Sequence, residues 1–189
     1  MKAIGICGGA REEGNTVLIT RMVLAELQKE GIEIELINLY NKEIKPCQAC
    51  FRCAGQAACL QTGDDFAVCF QKLTEAEIII LASPVYTADV SFRLKAFLDR
   101  AAVVVAGNQG LLRHKIGASI AAVRRAGGMT AVDTMNHFFL NKEMILAGST
   151  YWNMVYGQHL GDIYQDTEGV ANMRNLGQNL AWLAQRLYS

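Results

Sequence analysis

An excess of charge of either sign is missing from this chain: lysine plus arginine number 18, and aspartate plus glutamate number 18, in 189 residues. No net field draws nucleic acid, an acidic membrane surface or an acidic protein, so those partners are disfavoured from the start. Long hydrophobic runs are missing as well. One lysine precedes an apolar stretch from Ala3 to Cys7 that stops at Gly8 and Gly9, too short for a signal-peptide core or a bilayer span. The expectation is a cytoplasmic protein with no membrane partner. Proline occurs twice. No proline- or serine-rich stretch, internal repeat or low-complexity segment divides the chain, so residues 1–189 read as a single domain with a substantial core. The three histidines, His114, His137 and His159, are scattered, with no carboxylate or cysteine at ligand spacing. That argues against a histidine metal site or a catalytic triad.

What is present alternates. Apolar runs at Ala3 to Cys7, Glu33 to Leu39, Ile78 to Ala82, Ile116 to Val123 and Met144 to Ser149 read as strands. Helical patterns lie between and after them, at Asn15 to Glu30, Asp65 to Thr74, Phe92 to Val105, Met129 to Leu140 and Gly169 to Leu187. The fold class is α/β: a doubly wound, five-stranded parallel sheet with helices on both faces. Ligands of such sheets bind at the carboxyl ends of the strands, which directs attention to the loops after strands one, three and four.

The first of these loops, Gly8 to Thr16, leads directly into a helix. Gly9 and Gly14 permit a tight turn, while Asn15 and Thr16 are suited to cap the helix and aim donors at an anion. Arg11 adds a cation, and Glu12 and Glu13 are expected to face solvent. The lysine of a P-loop is missing, and so is the glycine spacing of a dinucleotide fingerprint, which leaves a mononucleotide phosphate as the favoured guest. After strand three, Ser83-Pro84-Val85-Tyr86 forms a rigid turn ending in an aromatic, suited to lie against a flat ring. After strand four, Arg124 and Arg125 precede Gly127 and Gly128, joining cations to backbone that can approach a ligand closely. An ordinary turn is the alternative for each loop alone; three at one sheet edge are harder to dismiss.

Four of the six cysteines crowd into the long segment at about 41–63, where helical and strand periodicity fail. Cys47, Cys50, Cys53 and Cys59 read as C-x2-C-x2-C-x5-C, the ligand count of a [4Fe-4S] cluster. Zinc and free redox-active thiols are the alternatives, the spacing fitting zinc less well. Arg52 is the only cation between the outer cysteines, and Asp64 and Asp65 read as caps of the next helix. Cys7 and Cys69 read as small core residues. The aromatic segment holding Trp152, Tyr156 and Tyr164 reads as a packed loop.

Taken together, the Gly8 to Thr16 loop, the cysteine loop with Asp64-Asp65, Ser83 to Arg100, Arg124 to Gly128 and the closing Asp166-x-Glu168-Gly169 resemble the iron-sulfur flavoproteins of the NADPH-dependent FMN reductase and flavodoxin-like family. The resemblance implies a flavodoxin-like sheet in the order 2-1-3-4-5 and bound FMN, with its phosphate on the first loop and its ring against the Ser83 to Tyr86 and Arg124 to Gly128 loops, in a homodimer or homotetramer. It also implies electron transfer between FMN, a [4Fe-4S] cluster and a redox partner protein or NAD(P)H. An NAD(P)H-dependent flavin or quinone reductase using FMN alone is the main rival, and a non-enzymatic redox-sensing or zinc-binding module the second. Gly9 stands where the family usually has serine and Ala10 where it often has proline, so one phosphate-binding hydroxyl is lost. The cysteine loop departs too, with Ala57 at the family's usual glycine position and Gly55 placed earlier. No side chain is required as acid, base or nucleophile, so no catalytic residue is assigned.

Overall fold

The computed structural model describes residues 1–188. Its strands are β1 (Lys2–Cys7), β2 (Glu33–Asn38), β3 (Ile78–Pro84), β4 (Ile116–Val123), β5 (Ile145–Leu146) and β6 (Met154–Tyr156). The helices are α1 (Asn15–Lys29), α2 (Phe66–Glu75), α3 (Phe92–Ala106), α4 (Gly128–Leu140) and α5 (Thr167–Leu187). All pairings among these strands are parallel, in the order β2-β1-β3-β4-β5, with β6 also on β4. The expected sheet order is therefore present. Among the described residues, no helix is long and apolar enough to cross a membrane.

The sheet separates two apolar layers, and period-two alternation along each central strand feeds both. On β3, Ile79 and Leu81 pack with α2, α3 and α4, while Ile78, Ile80 and Ala82 pack with α1 and α5. Every residue from Ile78 to Ala82 is buried, as a strand covered on both faces must be. At the carboxyl end of β1, Gly8 passes so close to α3 that a Cβ there would lie 2.7 Å from both Leu94 Cβ and Ser91 Oγ.

The fifth strand differs from expectation. Met144 to Ser149 does not run as one strand: Ile145 and Leu146 pair with Ile116 and Gly117, the chain leaves the sheet, and β6 returns to pair with Ala121, Ala122 and Val123. Asn172 on α5 holds the segment between the two pieces. Its buried side chain accepts from Thr150 Oγ1 and the Tyr151 N–H and donates to the Trp152 carbonyl at 2.8 Å, satisfying backbone that the sheet has released.

Candidate functional site

At the carboxyl edge of the sheet the loops after β1, β3 and β4 converge on a cavity of about 160 Å³, lined by Gly9, Arg11, Gly14, Asn15, Thr16, Pro84, Val85, Tyr86 and Arg124 among others. Nine residues singled out from the sequence thus meet in one place. The N-terminus of α1 faces this cavity, bringing amides with no intrahelical partner and the positive end of a 15-residue helix.

The capping expectation needs correction. Gly14, not Asn15 or Thr16, is the N-cap, and it supplies no side chain to the helix amides. Asn15 is turned instead toward a distant loop, donating to the His159 carbonyl at 2.8 Å and accepting from the Gly161 N–H at 2.9 Å. The helix amides are thereby left for an external anion, and the loop after β6 is drawn over the cavity, where Gly157 and Gln158 join its lining. Sequence reasoning missed this pair, although the glycine following Tyr156 marked a turn.

The charges around the loop are sorted by geometry. Glu13 makes a bidentate pair with Arg21, at 2.8 Å for each contact, which directs its carboxylate away from the α1 N-terminus. Arg11 and Glu12 are exposed, and their carbonyls accept from Asn38 Nδ2, which ties the phosphate loop to the end of β2. Among the described residues, Arg11, Arg124 and Arg125 have no carboxylate within 4.0 Å. The cavity mouth therefore carries cations without internal partners. Behind the loop, burial pushes the Cys7 thiol up to about 12, so it is a neutral packing group.

The loop after β3 is shaped by backbone strain. Tyr86 and Asp89 exchange backbone hydrogen bonds at 2.9 and 3.0 Å, and the two residues between them, Thr87 and Ala88, both have positive φ, 49° and 59°. Thr134 on α4 donates to Asp89 Oδ1 at 2.7 Å and holds the turn from the side. Ser83, Arg125, Gly127 and Gly128 do not line the cavity. Ser83 is buried and accepts from the Ser91 N–H, which joins the turn to the start of α3. Gly127, at φ 82°, lets the β4 loop pass Ala88, whose Cα would lie 2.8 Å from an added Cβ. Gly128, the first residue of α4, leaves room for Met154 of β6, which an added Cβ would meet.

The cysteine loop lies along α3. Its tip is held by hydrogen bonds from the Gly55 N–H to the Gly107 carbonyl, from the Ala57 N–H to Asn108 Oδ1, and from Asn108 Nδ2 to the Cys53 carbonyl. Ala49, Phe51, Gly55 and Ala57 all have positive φ, so the chain coils tightly between the thiols. Cys53 is buried, Cys47 and Cys59 are half-buried and Cys50 is exposed. Backbone and side-chain donors of Arg52 hold the Cys50 thiol below its ordinary range, while burial pushes Cys53 up. Among the described residues, no three cysteine, histidine or acidic side chains are gathered closely enough to hold one metal ion. The donor set nonetheless fits iron by its chemistry: four soft thiols lie on one anchored loop, and a guanidinium donates directly to one of them.

That guanidinium, Arg100 on α3, is the residue sequence reading overlooked. Asp64 and Asp65, expected as helix caps, do stand at the start of α2, where Asp65 is the N-cap residue, but their carboxylates have further partners. Asp64 is buried and accepts from Arg100 at 2.5 Å and from the Lys45 N–H at 2.8 Å, and Asp65 accepts from the Glu43 N–H at 2.8 Å. Both carboxylates close the stem of the cysteine loop; Asp64 Oδ1 also accepts from the Phe66 N–H at 3.4 Å at the start of α2, whereas the Asp65 side chain makes no capping bond. Asp166 does cap: it accepts from the Gly169 N–H at 2.9 Å and, through its other oxygen, from the Tyr156 N–H.

Comparison with known proteins shows the family and the fold. The NADPH-dependent FMN reductase family profile matches residues 1–159. An iron-sulfur flavoprotein of Methanocaldococcus jannaschii is 39% identical over 96% of each chain, and another, of Methanosarcina thermophila, is 28% identical over 95% of this chain and 93% of its own. Among solved structures, an archaeal flavodoxin superposes with a TM-score of 0.64 at 16% identity, covering 98% of this chain and 99% of that one. A flavone reductase superposes with a TM-score of 0.73 at 20% identity, covering 98% of this chain and 63% of the other, and both show the fold alone. By its matched profile and its relatives, the chain belongs to the iron-sulfur flavoprotein and FMN reductase family of flavin-dependent oxidoreductases.

Proposed function

We propose that this chain is an FMN-dependent redox protein that takes electrons from NAD(P)H and hands them, through a [4Fe-4S] cluster on the Cys47-Cys50-Cys53-Cys59 loop, to a redox partner protein. The observation that carries the reading is the convergence of three separate loops on one cavity at the α1 N-terminus. Gly9, Gly14, Asn15 and Thr16 supply backbone around the FMN phosphate, and Arg11 supplies a cation. Pro84, Val85 and Tyr86 form the wall for the ring, with Arg124 across the cavity, Ser83, Gly127 and Gly128 packed behind that wall, and Arg125 as a further cation beside Arg124 in the same loop. Gln158 and Gly157 cover the opening and exclude water. When bound, FMN supplies two-electron exchange with a hydride donor and the cluster one-electron exchange with a partner.

Residues 1–189 act as one flavodoxin-like unit with the cysteine segment inserted at about 41–63, in a cytoplasmic homodimer or homotetramer. The balanced composition, 18 basic against 18 acidic residues, supports neither a nucleic-acid nor a membrane partner. One observation favours a second reading, an NAD(P)H-dependent FMN or quinone reductase using FMN alone: the four thiols are not gathered into a metal-holding group. Anaerobic purification followed by flavin, iron and sulfide analysis with an absorption spectrum separates the two. Flavin with about four irons per chain supports the two-centre protein, whereas flavin without iron leaves the simple reductase. A protein with neither overturns both.

A further inference from the structure

Arg100 is among the most deeply buried large side chains, 1% exposed, and its donors all reach the cysteine loop. Nε donates to Cys59 Sγ at 3.1 Å, and one terminal nitrogen donates to Asp64 Oδ2 at 2.5 Å and to the Lys45 carbonyl at 3.3 Å. The other donates to the Gln61 carbonyl at 2.6 Å. The guanidinium lies over the Phe66 ring, 4.1 Å from its centroid, which fixes its plane. Lys45 stands two residues before the first clustered cysteine and Gln61 two after the last, so one side chain clasps both ends of the loop and addresses a sulfur between them.

A mere clasp needs no donor aimed at sulfur. Burying a guanidinium is costly, and here the cost is met by one carboxylate, two carbonyls and a thiol. Lysine has no planar fork with which to make these four contacts together. An N–H donor on a metal-bound thiolate favours the more negative, reduced state of the centre, because it stabilises charge accumulating on the sulfur. We propose that Arg100 is the positioning residue of the iron-sulfur loop, holding Cys59 in place for the metal and raising the reduction potential of the cluster through the Nε–H···S bond. This rests on the cluster reading above. Asp64 is its counter-ion and the brace of its orientation.

The test uses the full-length, flavin-loaded protein prepared anaerobically, comparing wild type with Arg100→Lys and with the double variant Arg100→Gln/Asp64→Asn. The double variant removes both buried charges, so no orphaned carboxylate unfolds the chain. Iron per chain is measured, and the cluster potential is read by EPR-monitored titration. The expected result is unchanged flavin content with a potential lowered by about 59 mV, a tenfold loss of electron affinity for one electron, or iron reduced by half or more. Variants with wild-type iron and potential overturn the proposal. If both variants misfold, the Arg52→Lys protein, which keeps Arg100, labelled with 15N-arginine decides. A guanidinium coupling to the reduced cluster in ENDOR supports the bond, and none overturns it. Flavin-loaded wild type that binds no iron fails the cluster reading itself, and this proposal with it. That failure is distinguishable because it shows before any variant is made.

Discussion

The side-chain amide of Asn15 holds Gly161 and His159, accepting from the Gly161 N–H at 2.9 Å across 146 residues of chain. The first residue of α1 therefore determines where the covering loop over the cavity lies. Replacing Asn15 by alanine removes two hydrogen bonds and releases that loop. Each is worth about 1 kcal/mol, so FMN affinity should weaken roughly ten- to thirtyfold. Fluorescence titration of the apoprotein measures this, and undiminished affinity would remove Gly157 and Gln158 from the site.

Arg124 lines the cavity and has no acidic partner within 4.0 Å among the described residues. Arg124→Gln should raise the FMN dissociation constant about tenfold, ~1.4 kcal/mol. It should also flatten the salt dependence of binding, since one of the cations at the mouth is gone. Equal affinity and equal salt response in the variant would place Arg124 outside the contact.

Gly127 combines φ 82° with a 2.8 Å approach to the Ala88 Cα. Gly127→Ala should push the β4 loop away from the strained Thr87-Ala88 turn, at a cost of about 1–3 kcal/mol. Thermal unfolding reports the stability loss. Flavin content after purification reports whether the ring wall has moved, and a variant matching wild type in both shows that the loops adjust independently.

The side chains of Asp64 and Arg100 are each 1% exposed and form the buried pair at the stem of the cysteine loop. Asp64→Ala leaves the guanidinium uncompensated, and a loss of about 3–5 kcal/mol follows. Urea denaturation of the full chain should show it as a lower midpoint at constant slope. A loss under about 1 kcal/mol would mean that water replaces the carboxylate.

Two buried thiols set an alkaline limit. Burial pushes Cys7 from 9.0 to about 12 and Cys69 from 9.0 to about 11. The folded state thus keeps protons that the unfolded state releases, so stability is intact below pH 9 and declines as pH rises toward 11–12. The expected slope is about 1.4 kcal/mol per pH unit for each thiol. Cys7→Ala should flatten the upper part of the profile, and a profile unchanged by that substitution would assign the alkaline limit elsewhere.

Local chemistry made much of this protein legible. Continuous apolar runs such as Ile78 to Ala82 fit a strand covered on both faces, and their alternation with helical stretches pointed to a doubly wound parallel sheet, whose strand order came from the flavodoxin-like resemblance. Glycine, proline and arginine in the loops after β1, β3 and β4 marked the cavity because those loops share one edge in any such sheet. The four-cysteine spacing was likewise visible as chemistry confined to one short segment. Three features were decided only in three dimensions, each through a polar side chain meeting backbone far along the chain. Asn172 holds the segment between β5 and β6, Asn15 reaches across to the loop after β6, and Arg100 clasps the cysteine loop from a helix that begins after another strand. Periodicity records which face a residue takes on its own element. It carries nothing about which distant carbonyl, carboxylate or sulfur will lie opposite, because that partner exists only once the layers have packed.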